Sequence, residues 1–147
     1  MKKHLILRVV SKLLIPLIIL YGLYVQFHGD FGAGGGFQAG VIIAVSVILY
    51  ALIFGMDAAQ EAVPPWLIKI GTASGVIVFA GVGFITMLMG GNFLDYDVLH
   101  PDLAHRAGQH MGILWVEIGV LLTVTSVMIA VFYAFAGRVP DMSDEEW

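Results

Sequence analysis

Glu117 is the residue in this sequence best placed to do chemistry. It lies inside the run MGILWVEIGVLLTVTSVMIAVFYAF, with no other ionisable carboxylate or cation in that stretch. A carboxylate among such residues is costly in lipid, so it faces protein or water and marks an ion or proton path. With few partners the acid has a raised pKa and carries a proton, whereas a basic partner holds it ionised. The alternative is a structural tether to a neighbour's lysine, arginine or hydroxyl. If its helix begins near Gly112, Glu117 lies about 8 Å below the start. Two further groups, His28 and Asp30, stand at the head of HGDFGAGGGFQAGVIIA, residues 28–44. The span directions place this stretch and Glu117 in the same, outer leaflet. His28, Asp30, the glycine N–H groups and Glu117 are therefore expected to line one hydrated entrance.

The glycines must position these groups. Four of the five residues from Gly32 to Gly36 are glycine, and Gly32, Gly36, Gly40 and Ala44 recur every four residues. A helix through them carries a stripe of small residues against which another helix packs closely, which is how helices associate where hydrophobicity offers no contrast with lipid. The glycine run also leaves backbone N–H groups open at the positive end of that helix, able to hold an anionic group, a carbonyl or water. Gly71 and Gly75 repeat the spacing, with Gly81 and Gly83 further on. In the last span Gly112, Gly119, Thr123, Ser126 and Ala130 form a small and polar stripe, and Glu117 points about 200° from Gly119. Two faces of one helix then need protein cover. Three other short helices are too few to supply it, which argues for neighbouring chains.

The wider composition defines the medium. Of 147 residues 59% are hydrophobic and 12% charged, and mean hydropathy is +0.92. Uncharged stretches run for 17 residues from Leu13 to Gly29, 26 from Phe31 to Met56, 25 from Ile70 to Leu94 and 20 from Ile118 to Gly137. A span needs about 20 predominantly apolar residues. The sequence thus predicts an all-α integral membrane protein with four transmembrane helices near 9–27, 36–56, 67–89 and 111–136. It forms a single membrane domain over 1–147, ending in a short acidic tail at 137–147. The absence of cysteine excludes disulfides, thiolate metal sites and iron–sulfur ligation. No cofactor, resident metal or nucleic-acid partner is expected.

In chain order, His4, Arg8 and Lys12 share one face of the opening helix and snorkel toward headgroups. No small-residue cleavage site follows, since Tyr24, Gln26 and Phe27 occupy its place, so the segment reads as a retained span. Pro16 either opens the regular helix or bends it. MDAAQEAVPPW reads as a short loop, with Pro64 and Pro65 in the first turn of the next helix and Trp66 at the interface. With the amino terminus inside, Lys2, Lys3, Arg8, Lys12, Lys69 and Arg138 are cytoplasmic and only Arg106 is outside, which puts both termini in the cytoplasm. The longer outer loop, Gly90 to His110, holds Asp95, Asp97, His100, Asp102, His105 and His110. Their spacing fits no compact ligand motif. The loop reads as solvated and cation-attracting, or as docking on another chain.

HGDFGAGGGFQAGVIIAVSVILYALIFGMD resembles the MnhB/MrpB family, one of the small membrane subunits of the multisubunit, Mrp-type Na⁺/H⁺ antiporter, whose pattern is close to HG-x-x-x-PGGGFQ-x-G at the start of the second span. WVEIGVLL is similar to the family's F-D-I-G-V stretch and puts Glu117 at the acidic position. Ala33 stands where the family usually has proline, loosening the turn, and Glu117 replaces an aspartate, keeping the charge on a longer arm. The resemblance covers nearly the whole chain. It implies a bacterial inner-membrane complex that exchanges cytoplasmic Na⁺ for external H⁺, in which this chain partners large antiporter-like subunits and other small membrane subunits. The reading of the residues themselves makes Glu117, Asp30 and His28 the candidates for the ion or proton path, and Gly34, Gly35, Gly36, Phe37, Gly40, Gly71, Gly75 and Gly119 those for helix packing and assembly. The same module in a membrane-bound hydrogenase or complex-I-like enzyme is the alternative, and a self-sufficient small channel or structural homo-oligomer is a third class.

Overall fold

A computed structural model describes residues 5–29, 32–100 and 106–138. It contains α1 (Leu5–His28), α2 (Gly36–Phe54), α3 (Met56–Ala62), α4 (Pro65–Leu88), a 3-10 turn at Tyr96–Leu99 and α5 (Arg106–Ala136). Four of these are long and apolar enough to cross a membrane: Leu5–His28, Gly36–Phe54, Pro65–Leu88 and Gly108–Ala136. The chain is a multi-pass membrane protein. His4 and most of the acidic tail lie outside the described residues.

Backbone chemistry fixes the helix ends. Gly35 has φ +128°, open to glycine, and the regular helix starts only after it, so Gly32 stands before α2 and off its stripe. Gly55 has φ +99° and its N–H closes α2 on the Ala51 carbonyl at 2.9 Å. The second span thus ends at Phe54, two residues short of Met56. The segment after it is the helix α3, where the sequence suggests a loop. Pro65 opens α4 at its first position, where a missing N–H costs nothing. Pro16 falls inside the continuous α1 rather than at its start.

α5 is the central helix, packed against α2 on one side and α4 on the other, while α1 packs on α2. α2 and α5 run in the same direction: Gly36 lies at Glu117, Gly40 at Leu121 and Val124, and the Thr125 hydroxyl donates to the Gly40 carbonyl at 3.2 Å. α4 runs antiparallel, with Gly71 at Ser126 and Gly75 at Thr123 and Gly119. Each of the two faces of α5 therefore meets a helix of this chain, with Glu117 and Thr123 left half-buried. Neighbouring chains are not needed for the tight contacts at Gly36, Gly40, Gly71 and Gly75, because glycine on α2 and α4 lets single helices approach α5 closely.

Away from the glycines, Ala44, Ile68 and Ile129 are buried together beneath Val47, Val63 and Tyr133. The Tyr133 hydroxyl donates to the carbonyls of Ala59 (2.9 Å) and Val63 (3.2 Å), tying α5 to α3 and the turn after it. Tyr133→Phe removes this donor and keeps the ring, so it should cost about 1–2 kcal/mol. Thermal unfolding of the detergent-solubilised protein should show the lowered midpoint, and an unchanged midpoint would refute the tie. At the same end, Arg8 and Lys12 lie over the Phe54 ring at 5.2 and 5.7 Å. Lipid-range side chains such as Leu13, Leu17 and Leu20 on α1 are exposed.

The loop after α4 folds back on its own helices. The buried Thr86 hydroxyl donates to the carbonyls of Gly83 (2.8 Å) and Asn92 (3.1 Å) and accepts from the Leu94 N–H (3.0 Å). Phe93 lies against Gly83, and Tyr96 against Gly108 and Gly112. Partial burial raises the Tyr96 pKa, keeping the phenol neutral. Gln109 donates to Asp97 at 2.9 Å. α5 begins at Arg106, before the expected start near 111, and these contacts tie the described part of the loop to α4 and α5, although none of residues 90–100 is buried.

Candidate functional site

The ends of α1 and α2 form a cradle of backbone, and the Glu117 carboxylate sits in it. A Cβ on Gly29 would stand 2.6 Å from Glu117 Oε1, 2.9 Å from Oε2 and 3.0 Å from the Gly35 Cα. A Cβ on Gly35 would stand 2.8 Å from Oε1. A side chain at either position would push the carboxylate out of this seat. One residue on, a Cβ at Gly36 would run into the Glu117 carbonyl oxygen and carbonyl carbon, so α2 and α5 meet here backbone to backbone.

The turn that builds the cradle is closed onto α1. The Gly35 N–H donates to the Val25 carbonyl at 3.3 Å, and a Cβ on Gly34 would lie 2.8 Å from that same oxygen. The first N–H groups of α2 then lack intrahelical acceptors, and with the helix dipole they make this end positive. The Glu117 carboxylate lies half-buried beside it, which is a different environment from a lone acid facing lipid. Because α5 begins at Arg106, Glu117 lies about 16 Å along the helix rather than 8 Å, level with the α1–α2 turn.

The other candidates divide. His28 ends α1 half-buried, its ring stacked on Tyr24 at 5.2 Å, with Nε2 near Gly32. Asp30 lies outside the described residues. Gly40, Gly71, Gly75 and Gly119 all stand at close helix crossings, as just described. Ala130, placed on the α5 stripe by spacing, is exposed. Phe37 is 62% exposed, so its side chain is not part of the buried interior of this chain. It follows Gly36 by about 100° around α2, which turns it away from α5. Among the described residues no three His, Asp or Glu side chains converge as metal ligands. Sequence reasoning missed Gln26, buried in α1 just before the cradle. Its signal was visible as the lone amide in the uncharged stretch from Leu13 to Gly29.

Four membrane-capable helices locked together through glycine, with one acidic side chain seated where three of them meet, define a small multi-pass membrane protein built around an intramembrane carboxylate. Comparison with known proteins makes this specific. Residues 6–130 match the family model described as a domain related to the MnhB subunit of Na⁺/H⁺ antiporter, and the chain belongs to that family. It is 29% identical over 133 residues to a Staphylococcus haemolyticus protein named "Putative antiporter subunit mnhB2", covering 90% of this chain and 94% of that one. Equally named relatives in Staphylococcus epidermidis (28% over 135 residues) and Staphylococcus aureus (29% over 133 residues) match with the same coverage.

Proposed function

We propose that this chain is the MnhB-type membrane subunit of a hetero-oligomeric Na⁺/H⁺ antiporter in a bacterial inner membrane, with Glu117 on its ion path. The observation that carries the reading is the seat of Glu117: an acid in a span, held between Gly29 and Gly35 at the positive end of α2. Such a seat lets one carboxylate hold a proton or a monovalent cation in turn, because the helix end supports the anion while either cation is exchanged. His28 and Asp30 flank Gly29, one wall of the cradle, in sequence, and in this reading they belong to the same path.

Glu117 is the only Asp or Glu within the four candidate spans. One acid is too sparse for a complete antiporter, so the large subunits carry the rest of the relay and the exposed apolar faces of α1 and α4 meet lipid or those subunits. Both termini face the cytoplasm in this reading. The starts of α1 and α4 and the ends of α2 and α5 lie at one end of the bundle, and Arg8, Lys12, Lys69 and Arg138 cluster there, which supports it.

Everted membrane vesicles containing the whole complex should show Na⁺-dependent dissipation of a pH gradient, and complexes expressed without this chain should not. Persistent exchange in its absence would overturn the reading. Purification of the chain with a nickel–iron or iron–sulfur subunit would overturn the antiporter in favour of a redox-driven complex.

A further inference from the structure

Gln26 is 1% exposed, and neither its Oε1 nor its Nε2 has a hydrogen-bond partner among the described residues. Buried amides are nearly always satisfied, and leaving both ends bare is costly. The side chain is closed off inside this chain, so a neighbouring protein or a lipid headgroup cannot reach it. Its ligand is small.

Its place in the fold shows what that ligand adjoins. Gln26, in the last turn of α1, precedes Gly29 by three residues, about 4.5 Å along the helix axis. Gly29 is one wall of the Glu117 cradle. Val25, the residue before Gln26, gives its carbonyl to the Gly35 N–H at 3.3 Å, and Gly35 is the other wall. Gln26 thus lies about one helical turn below the Gly29 wall of the cradle, on the helix that packs against α2.

We propose that Gln26 binds a buried water molecule beneath the Glu117 cradle and so carries the polar path one turn further into the bundle. Both a donor and an acceptor are unanswered, and water answers both, whereas a bare monovalent cation engages only Oε1 and is repelled by the Nε2 hydrogens. A buried water needs two to four polar partners, roughly. The two amide atoms supply a donor and an acceptor, and the Val25 carbonyl beside them in the chain is a further acceptor. The role on the path rests on the proposed function of Glu117, while the water site itself does not.

Hydroxyl-radical footprinting by X-ray radiolysis of the intact complex tests it, since a bound water labels the side chains beside it. Val25 (8% exposed) and Ile129 (3% exposed) are both buried and give an internal comparison. Val25 should be labelled several-fold faster than Ile129 in the wild-type complex. Gln26→Leu should bring Val25 down to the Ile129 rate, and Gln26→Asn, which keeps an amide, should retain most of it. Equal slow labelling of both residues in the wild type overturns the water site, as does fast Val25 labelling that survives Gln26→Leu. Na⁺-dependent proton flux should fall several-fold in Gln26→Leu complexes that are intact on a native gel, and normal flux overturns the place of the water on the path. If Glu117→Gln exchanges ions normally while Val25 labelling still depends on Gln26, the reading of Glu117 has failed and the water site stands.

Discussion

Glu117→Gln is expected to leave the complex intact on a native gel and to cut Na⁺-dependent proton flux by about tenfold or more, the effect of removing an intramembrane acid from an ion path. The substitution keeps the length and shape of the side chain, so the glycine cradle of Gly29 and Gly35 still accommodates it. It removes the charge and the ability to exchange a proton, which is the property the proposed function uses. A tether would behave differently. An amide still accepts a hydrogen bond, and a merely structural acid replaced by it would cost stability with flux per assembled complex unchanged. Normal flux across the pH range in an intact Glu117→Gln complex would therefore make the residue a scaffold. Glu117→Asp sharpens the comparison: it keeps the charge but shortens the arm that reaches Gly29, so flux should be intermediate.

The acid itself was legible in the sequence because an apolar run of that length has no place for a carboxylate without a reason. Its surroundings were not. Glu117 meets Gly29 and Gly35 through contacts more than eighty residues apart in the chain, and no periodicity within one span says which other span faces it. Spacing did place Gly36, Gly40, Gly71, Gly75 and Gly119 on tight faces, since small residues four apart have few other uses in lipid. It extended the first stripe to Gly32 only because a glycine run looks helical when continued, and the φ of Gly35 ends that continuation. The span ends drifted for a related reason. Charge marks where a helix leaves the apolar layer, but Gly55 stops α2 by backbone conformation, and the outer end of α5 is held by Tyr96 and Asp97 from the preceding loop. Gln26 was passed over because an uncharged amide barely perturbs a hydropathy count.

Gly36→Ala should do to the fold what Glu117→Gln does to transport. The added methyl would meet the carbonyl of Glu117 itself, and backbone, unlike a flexible side chain, has no rotamer to yield. α2 and α5 must separate at the level of the cradle, at a cost of about 3 kcal/mol or more for an overpacked, rigid contact, and Gly36→Leu is worse. The expected result is a chain that no longer assembles into the complex, or one whose thermal midpoint drops sharply in detergent. Helix propensity alone predicts the opposite, because alanine improves on glycine within a helix by about 1 kcal/mol. Gly81→Ala isolates that term: a Cβ there meets nothing within 4 Å, so it should be neutral or mildly stabilising. If Gly36→Ala behaves like Gly81→Ala, the close approach of α2 to α5 is not what holds the bundle. If Gly36→Ala alone fails, the glycine that admits α5 also sets where the carboxylate sits, since the contact lies on the backbone of Glu117. In that case assembly and ion handling depend on the same few ångströms of backbone.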